Sequence, residues 1–283
     1  MPLAEVRDRM DRLAAGVGGP GAEGLRGPVP LALPEVDRAL GGGLEAGAIH
    51  EFIGVGPGDG EGGADAKPDR VWSPPLGVVA HVGAAVSREG WVVWIGESVW
   101  PYGRAMSDAV RARSVFVDAR LPGDRVWSAD VALRCEGVGC VVMDASRLDI
   151  AATRRLALGA RGPAGEGRAI GLLVRPPWER GVVSVAHSRW TVDRRAPRAE
   201  GSDVGARDPG WILACVRCKG VQRDPSARWD WAVEWCCATG DVRVAPDVVD
   251  RSRAAEGGPR WAPARRAEIL RADDRADADR RTA

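Results

Sequence analysis

The feature that most constrains this chain is a repeated exchange between short apolar runs and amphipathic stretches from Ala48 to Val174. Trp91–Ile95 reads WVVWI between two glycines, the pattern of a strand buried on both faces. Similar runs lie at Ala48–Ile53, Val115–Asp118, Cys140–Met143 and Ala169–Val174. Helical stretches separate them: Leu76 to Gly90, Gly103 to Arg113, Val126 to Glu136 and Asp149 to Ala160. Ser73 and Pro74 are placed to cap and start the first of these. Strands alternating with helices imply βαβ units, hence a mostly parallel sheet with helices on both faces.

From Ser184 the pattern changes. SVAHSRWTV, WILACVRCKG and DWAVEWCCATGDVRV are strand-like, with turns and no helix between them. Trp229, Trp231, Val233 and Trp235 alternate with Asp230, Ala232 and Glu234, which gives a half-buried antiparallel strand. The expected fold is therefore α/β with an antiparallel C-terminal extension of the sheet. Upstream, Leu33, Val36 and Leu40 make a helical stripe ended by three glycines. Residues 1–30 read as a short amphipathic helix and a Gly/Pro linker, 31–249 as the core domain. Residues 250–283, poor in apolar side chains with Arg and Asp interleaved, read as a disordered tail.

A net charge of +1 gives no global attraction to nucleic acid or membranes. No stretch approaches the roughly 20 apolar residues of a membrane span, and the N-terminus lacks a signal-peptide core. The expectation is a cytoplasmic protein whose six cysteines stay reduced.

In a doubly wound sheet ligands bind beyond the carboxyl ends of the strands. The glycine-rich stretch Gly54 to Pro68 stands where a phosphate loop would, but that loop needs Gly-Lys-Ser/Thr. Here Lys67 follows Ala66 and precedes Pro68, which has no amide hydrogen and disfavours a helical Lys67. Asp144, closing an apolar strand, is the other nucleotide-site position; a cap or backbone acceptor is its expected role. Glu97 reads as a solvated loop residue. Lys67 and Asp144 are thus degenerate positions, with neither cofactor nor metal expected.

Cys215-x-x-Cys218 and Cys236-Cys237 have a metal flavour, but both pairs should point to opposite faces of strands and act as small apolar residues. The three histidines have no partner at motif spacing. Trp100-Pro-Tyr102 and Trp178, in loops after strands, are candidate partner contacts, as is Trp261 in the tail. Arg189, Arg194, Arg195 and Arg198 are candidate DNA contacts.

The ordered series LPEVDRALGGGLEAGAIHEFIG, WVVWIG, VFVDA, ALRCEGVGCVVMDASRLDIAATRRLALGA, AIGLLVRPPWER, SRWTV, WILACVRCKG and DWAVEW resembles RecA/RadA-type proteins. With its His50-Glu51 ending of the first segment it is more similar to the ImuA branch, over roughly Leu31 to Val249. That resemblance implies a RecA-like fold without a dependable phosphate loop. It also implies an accessory role in damage-induced translesion synthesis (SOS response), beside a Y-family-like ImuB-type protein and a DnaE-type error-prone polymerase. The C-terminal region would bind a partner. Two rival expectations are a RecA/RadA-like ATPase with an unorthodox nucleotide site and a SulA-like cell-division inhibitor.

Overall fold

A computed structural model describes residues 27–54, 72–103, 106–161, 169–195, 209–222, 229–236 and 241–245. Met1–Ala245 form one unit and Pro246–Ala283 a second, so every described residue belongs to the first. The N-terminal stretch before residue 27, the loop around Lys67, Arg198, Cys237 and Trp261 lie outside the described residues.

The strands are β1 (Pro28–Val29), β2 (Leu44–Glu45), β3 (Ile49–Gly54), β4 (Trp91–Ile95), β5 (Ser114–Val117), β6 (Val138–Asp144), β7 (Ile170–Arg175), β8 (Ser188–Arg194), β9 (Gly210–Cys218), β10 (Asp230–Cys236) and β11 (Asp241–Val244). The helices are α1 (Pro34–Ala39), α2 (Leu76–Ser87), α3 (Asp108–Ala112), α4 (Pro122–Arg134) and α5 (Ile150–Ala160). β1 and β2 form a small ribbon. The other nine strands form one sheet in the order β11-β10-β9-β8-β3-β7-β6-β4-β5. From β5 to β8 every pairing is parallel, and from β8 to β11 every pairing is antiparallel. The expected α/β architecture is what the chain adopts.

Side-chain alternation divides the core in two. Val92 and Trp94 join Phe52, Val142, Val174 and Trp190 under α2, which contributes Val78, Val79, Val82 and Val86. Val93 and Ile95 join Ile49, Val141, Met143 and Leu173 on the other face, under Ala129, Ala132 and Leu133 of α4 and Leu156 of α5. Burying both faces explains why these strands carry almost no polar residue. Trp229, Trp231, Val233 and Trp235 pack on the α2 side, as their spacing predicts. No described helix is long and apolar enough to cross a membrane.

Several boundaries differ from expectation. Helix α2 starts at Leu76, with Pro75 at its cap position and no side-chain cap, so Ser73 does not cap it. A proline disfavours helical backbone in the residue before it, so Pro75 keeps Pro74 out of the helix. The stretch expected to be helical over Gly103 to Arg113 contracts to α3, started by Ser107, whose Oγ accepts from the Val110 amide at 3.3 Å. Helix α4 begins earlier than expected because Pro122 suits its first turn.

Cys215 and Cys218 were expected on opposite faces; both pack against the α2-side core. The register shifts between Arg189 and Trp190: Trp190 pairs with Cys215, while Arg189 pairs with Arg217. Val216 is the extra residue of a bulge, and it resets the alternation. The cysteines still serve as small apolar side chains, with Cys215 buried and Cys218 half-buried.

Candidate functional site at the carboxyl edge of the parallel strands

Strands β4 and β6 are neighbours, yet from its outer end the chain leaves β4 for β5 and β6 for β7, on opposite sides. Their carboxyl ends therefore flank a topological switch point, the place where such sheets open a ligand crevice. Asp144 ends β6 there. Its Oδ2 accepts from Ser98 Oγ at 2.7 Å, and its Oδ1 accepts from the Ser146 amide at 2.9 Å. Asp144 thus holds the loop after its own strand, the backbone-acceptor role its sequence position suggests, while Asp149 caps α5 by accepting from the Ala152 amide.

Arg125, near the start of α4, reaches the same edge. Its guanidinium donates to the Arg120 carbonyl at 2.7 Å and the Ser146 carbonyl at 2.8 Å, and lies 3.9 Å from Asp144 Oδ2. The side chain is almost fully buried, and its Nε has no partner among the described residues. Gly96, which follows β4, makes room for this arrangement. At φ +89° it occupies a conformation that suits glycine, and an added Cβ would lie 3.0 Å from Asp144 Cβ and 3.1 Å from Arg125 Cδ. Glu97, next in the chain, is exposed. A cation already stands beside the carboxylate, supplied by the chain itself.

Sequence reasoning missed a second constellation, because its members are far apart along the chain. Glu51 of β3 and Arg175 of β7 are completely buried and paired, with Arg175 Nε donating to Glu51 Oε1 at 2.8 Å. Arg189 of β8 donates from Nε to Glu51 Oε2 at 2.7 Å. Arg175 Nη1 also donates to Glu179 Oε2 at 2.6 Å, and Glu179 Oε1 accepts from the Arg147 amide at 2.6 Å. Two guanidinium groups and two carboxylates balance, which is the condition for burying charge. The only sequence signal is Glu51 and Arg175 standing in otherwise apolar strands.

His50, beside Glu51, faces the other way. Its Nε2 lies 3.0 Å from the Glu45 carbonyl, which can only accept, so Nε2 carries the proton. Nδ1 then accepts from Ser188 Oγ at 2.7 Å, and that same oxygen accepts from Trp190 Nε1 at 2.7 Å. Burial, with His187 nearby, pushes the His50 pKa down to about 3, so the ring is neutral. Burial likewise lowers His81 and His187.

Of the candidate DNA contacts, Arg189, Arg194 and Arg195 fall among the described residues. Arg189 is tied to Glu51 and to the carbonyls of Arg180 and Val182, so it is not available to a ligand. Arg194 is exposed beside the exposed Asp193, and Arg195 is half-buried. Among the candidate partner contacts, Trp100 is half-buried with its ring edge on Phe116, 5.7 Å between centroids. Tyr102 is 73% exposed and Trp178 43% exposed. No group of three or more His, Cys, Asp or Glu side chains among the described residues could hold a metal ion.

Fold and site together define an α/β domain with a mostly parallel sheet, whose switch-point carboxylate is satisfied by donors of its own chain. No protein-family model matches the chain. Over 218 residues it is 30% identical to Protein ImuA from two strains of Caulobacter vibrioides, an alignment covering 70% of this chain and 82% of the relative. The chain belongs to the ImuA family.

Proposed function

We propose that this protein is a RecA-like accessory factor in damage-induced translesion DNA synthesis, acting through partners rather than through ATP hydrolysis. The observation that carries the reading is its 30% identity to Protein ImuA across most of both chains. The Asp144 site supports the non-hydrolytic half. Magnesium would have to displace Arg125 from the carboxylate, and Ala66-Lys67-Pro68 offers neither the glycine nor the hydroxyl of a phosphate loop.

The partners proposed are an ImuB-type, Y-family-like protein and a DnaE-type error-prone polymerase, met in the cytoplasm. Tyr102, with the partly exposed Phe116 near Trp100, is the proposed contact on the folded domain. Trp261 is the proposed anchor of the C-terminal segment, which would fold on binding.

The test is a deletion of the gene in its host, scored for mutation frequency after DNA damage, with affinity capture of the tagged full-length chain from damaged cells. Loss of induced mutagenesis together with recovery of polymerase subunits is the expected outcome. Normal mutagenesis in the deletion strain, or Mg·ATP turnover that Asp144→Ala abolishes, would overturn the reading.

A further inference from the structure

The chain passes from β7 to β8 without an α-helix. After a short turn at Pro177–Glu179, residues 181–187 lead directly to the start of β8, and Val185 and Ala186 pack into the core beneath α4 and α5. Cationic side chains take the carbonyls of this connector. Arg217 Nη2 donates to Ser184 at 3.2 Å and to Ala186 at 3.1 Å, and Lys219 Nζ donates to Val185 at 2.7 Å. Three consecutive carbonyls thus draw Arg217 and Lys219 to one spot. The bulge at Val216 is what brings them there. Leu213 and Cys215 face the α2-side core, and strict alternation would send Arg217 and Lys219 after them. The inserted residue puts Cys218 on that side instead and turns Arg217 and Lys219 to the connector. Bulges that re-aim a side chain in this way accompany functional sites.

Arg161, the residue after α5, completes the group. Partial burial pulls the Lys219 pKa down, and the charges of Arg217 and Arg161 lower it further, so the three cations share one neighbourhood. Each of them is exposed. Among the described residues none forms an ion pair with an acidic side chain, Glu45 included, whose charge is felt by His187 and Cys218 nearby. The chain as a whole balances 40 basic residues with 39 acidic ones, so this local excess is not a reflection of composition. Neutral donors would satisfy the connector equally well. Positive charges kept together without a counter-ion suit an anionic ligand. Lys219 spends one of its donors on the connector and Arg217 one nitrogen, which leaves further N–H groups for that ligand. The same bonds hold both side chains in place, so binding costs them little freedom.

The surroundings select the kind of anion. Val183 is 68% exposed, and it adjoins Ser184, whose carbonyl holds Arg217. An aliphatic side chain next to cations suits a peptide that carries carboxylates and apolar residues together. It offers a base no stacking surface. We propose that Arg161, Arg217 and Lys219, with Val183, form a docking site for an acidic segment of a protein partner. The site uses none of the residues assigned to partner contact above, and it does not rest on the translesion reading.

The probe is a fluorescein-labelled synthetic peptide of Asp, Glu, Ser and Leu, and the measurement is its anisotropy with the full-length protein. Binding is expected at low salt and should weaken as salt is raised. Arg161→Ala and Lys219→Gln should each weaken it roughly two- to fivefold, the range of an exposed ion pair. Arg161→Glu, which reverses the charge, should weaken it more than Arg161→Ala does. Val183→Ser should weaken binding of this peptide but not of one in which Ser replaces Leu. Arg111→Ala, an exposed arginine paired with Asp108 on α3, should bind as wild type does. Circular dichroism melting establishes that each variant is folded. Lys219→Gln also removes a bond to the connector, so the Arg161 variants, which touch none of its carbonyls, keep the test independent of that role. No binding by the wild type at low salt would overturn the proposal, as would binding indifferent to Arg161→Glu and Lys219→Gln. So would displacement of the peptide by an oligonucleotide at lower concentration than by unlabelled peptide, which would assign the cations to nucleic acid.

Discussion

Arg125 lies at the carboxyl ends of β4 and β6, its Nη1 3.9 Å from Asp144 Oδ2. Asp144 in turn accepts from Ser98 Oγ and the Ser146 amide, so the carboxylate organises three segments of chain. Asp144→Ala would leave a partly buried hydroxyl, an amide and a guanidinium without this acceptor. The expected loss is about 1–3 kcal/mol of stability, the usual cost of stranding buried donors. Mg·ATP turnover should be absent in wild type and variant alike. Urea unfolding and a phosphate-release assay on the same preparations separate the two effects.

The Glu51–Arg175–Arg189 arrangement makes a stronger demand. Glu51→Gln removes the charge that two buried or nearly buried guanidinium groups share. Breaking a buried pair from one side costs about 3–5 kcal/mol. A loss of unfolding free energy, read from urea titration, of less than a third of that would mean water reaches this part of the sheet.

Acid should weaken the fold through His50. The unfolded chain protonates this residue near its ordinary value of about 6.5, the folded chain only near about 3. Between those values the unfolded state binds more protons, so stability is full above the higher value and declines as pH falls towards the lower one. Melting temperature should therefore drop as pH is lowered from 7 to 5. His50→Asn, which cannot titrate, should show a shallower drop than wild type; an identical slope would assign the proton uptake to other groups, His81 and His187 among them.

Gly96→Ala is expected to destabilise by about 1–3 kcal/mol. The positive φ and the tight approach to Asp144 and Arg125 act together there. Gly103→Ala, where an added Cβ meets nothing within 4 Å, is the comparison that isolates the site from the general effect of replacing a glycine.

Alternation of apolar runs with amphipathic stretches made the sheet and its helices legible, since a strand buried twice must be apolar throughout. The change at Ser184 foretold the antiparallel extension through a different signal, strands joined by turns with no helix between them; β8 itself still pairs parallel with β3. Registry was not legible: the bulge at Val216 turns on one inserted residue, and nothing in WILACVRCKG marks it. Arg189 looked like a member of a basic cluster because sequence shows neighbours along the chain. Its partner Glu51 stands 138 positions away. At the site, Asp144 could be picked out as a strand-ending carboxylate. Arg125 could not, because an arginine in a helical first turn is ordinary until the fold buries it beside a carboxylate.

The central place of β3 bears on how this protein comes into being at the ribosome. Its two neighbours in the sheet are β7 and β8, and its buried glutamate waits for arginines 124 and 138 positions downstream. At synthesis rates of roughly 5–20 residues per second, a six-residue apolar strand with both edges open persists for several seconds or longer before either neighbour emerges. During that interval Glu51 has no counter-charge and must stay in water, which delays the collapse of the very strand that later sits at the centre. The carboxylate of the middle strand becomes a buried anchor only once the last parallel strand has supplied Arg189.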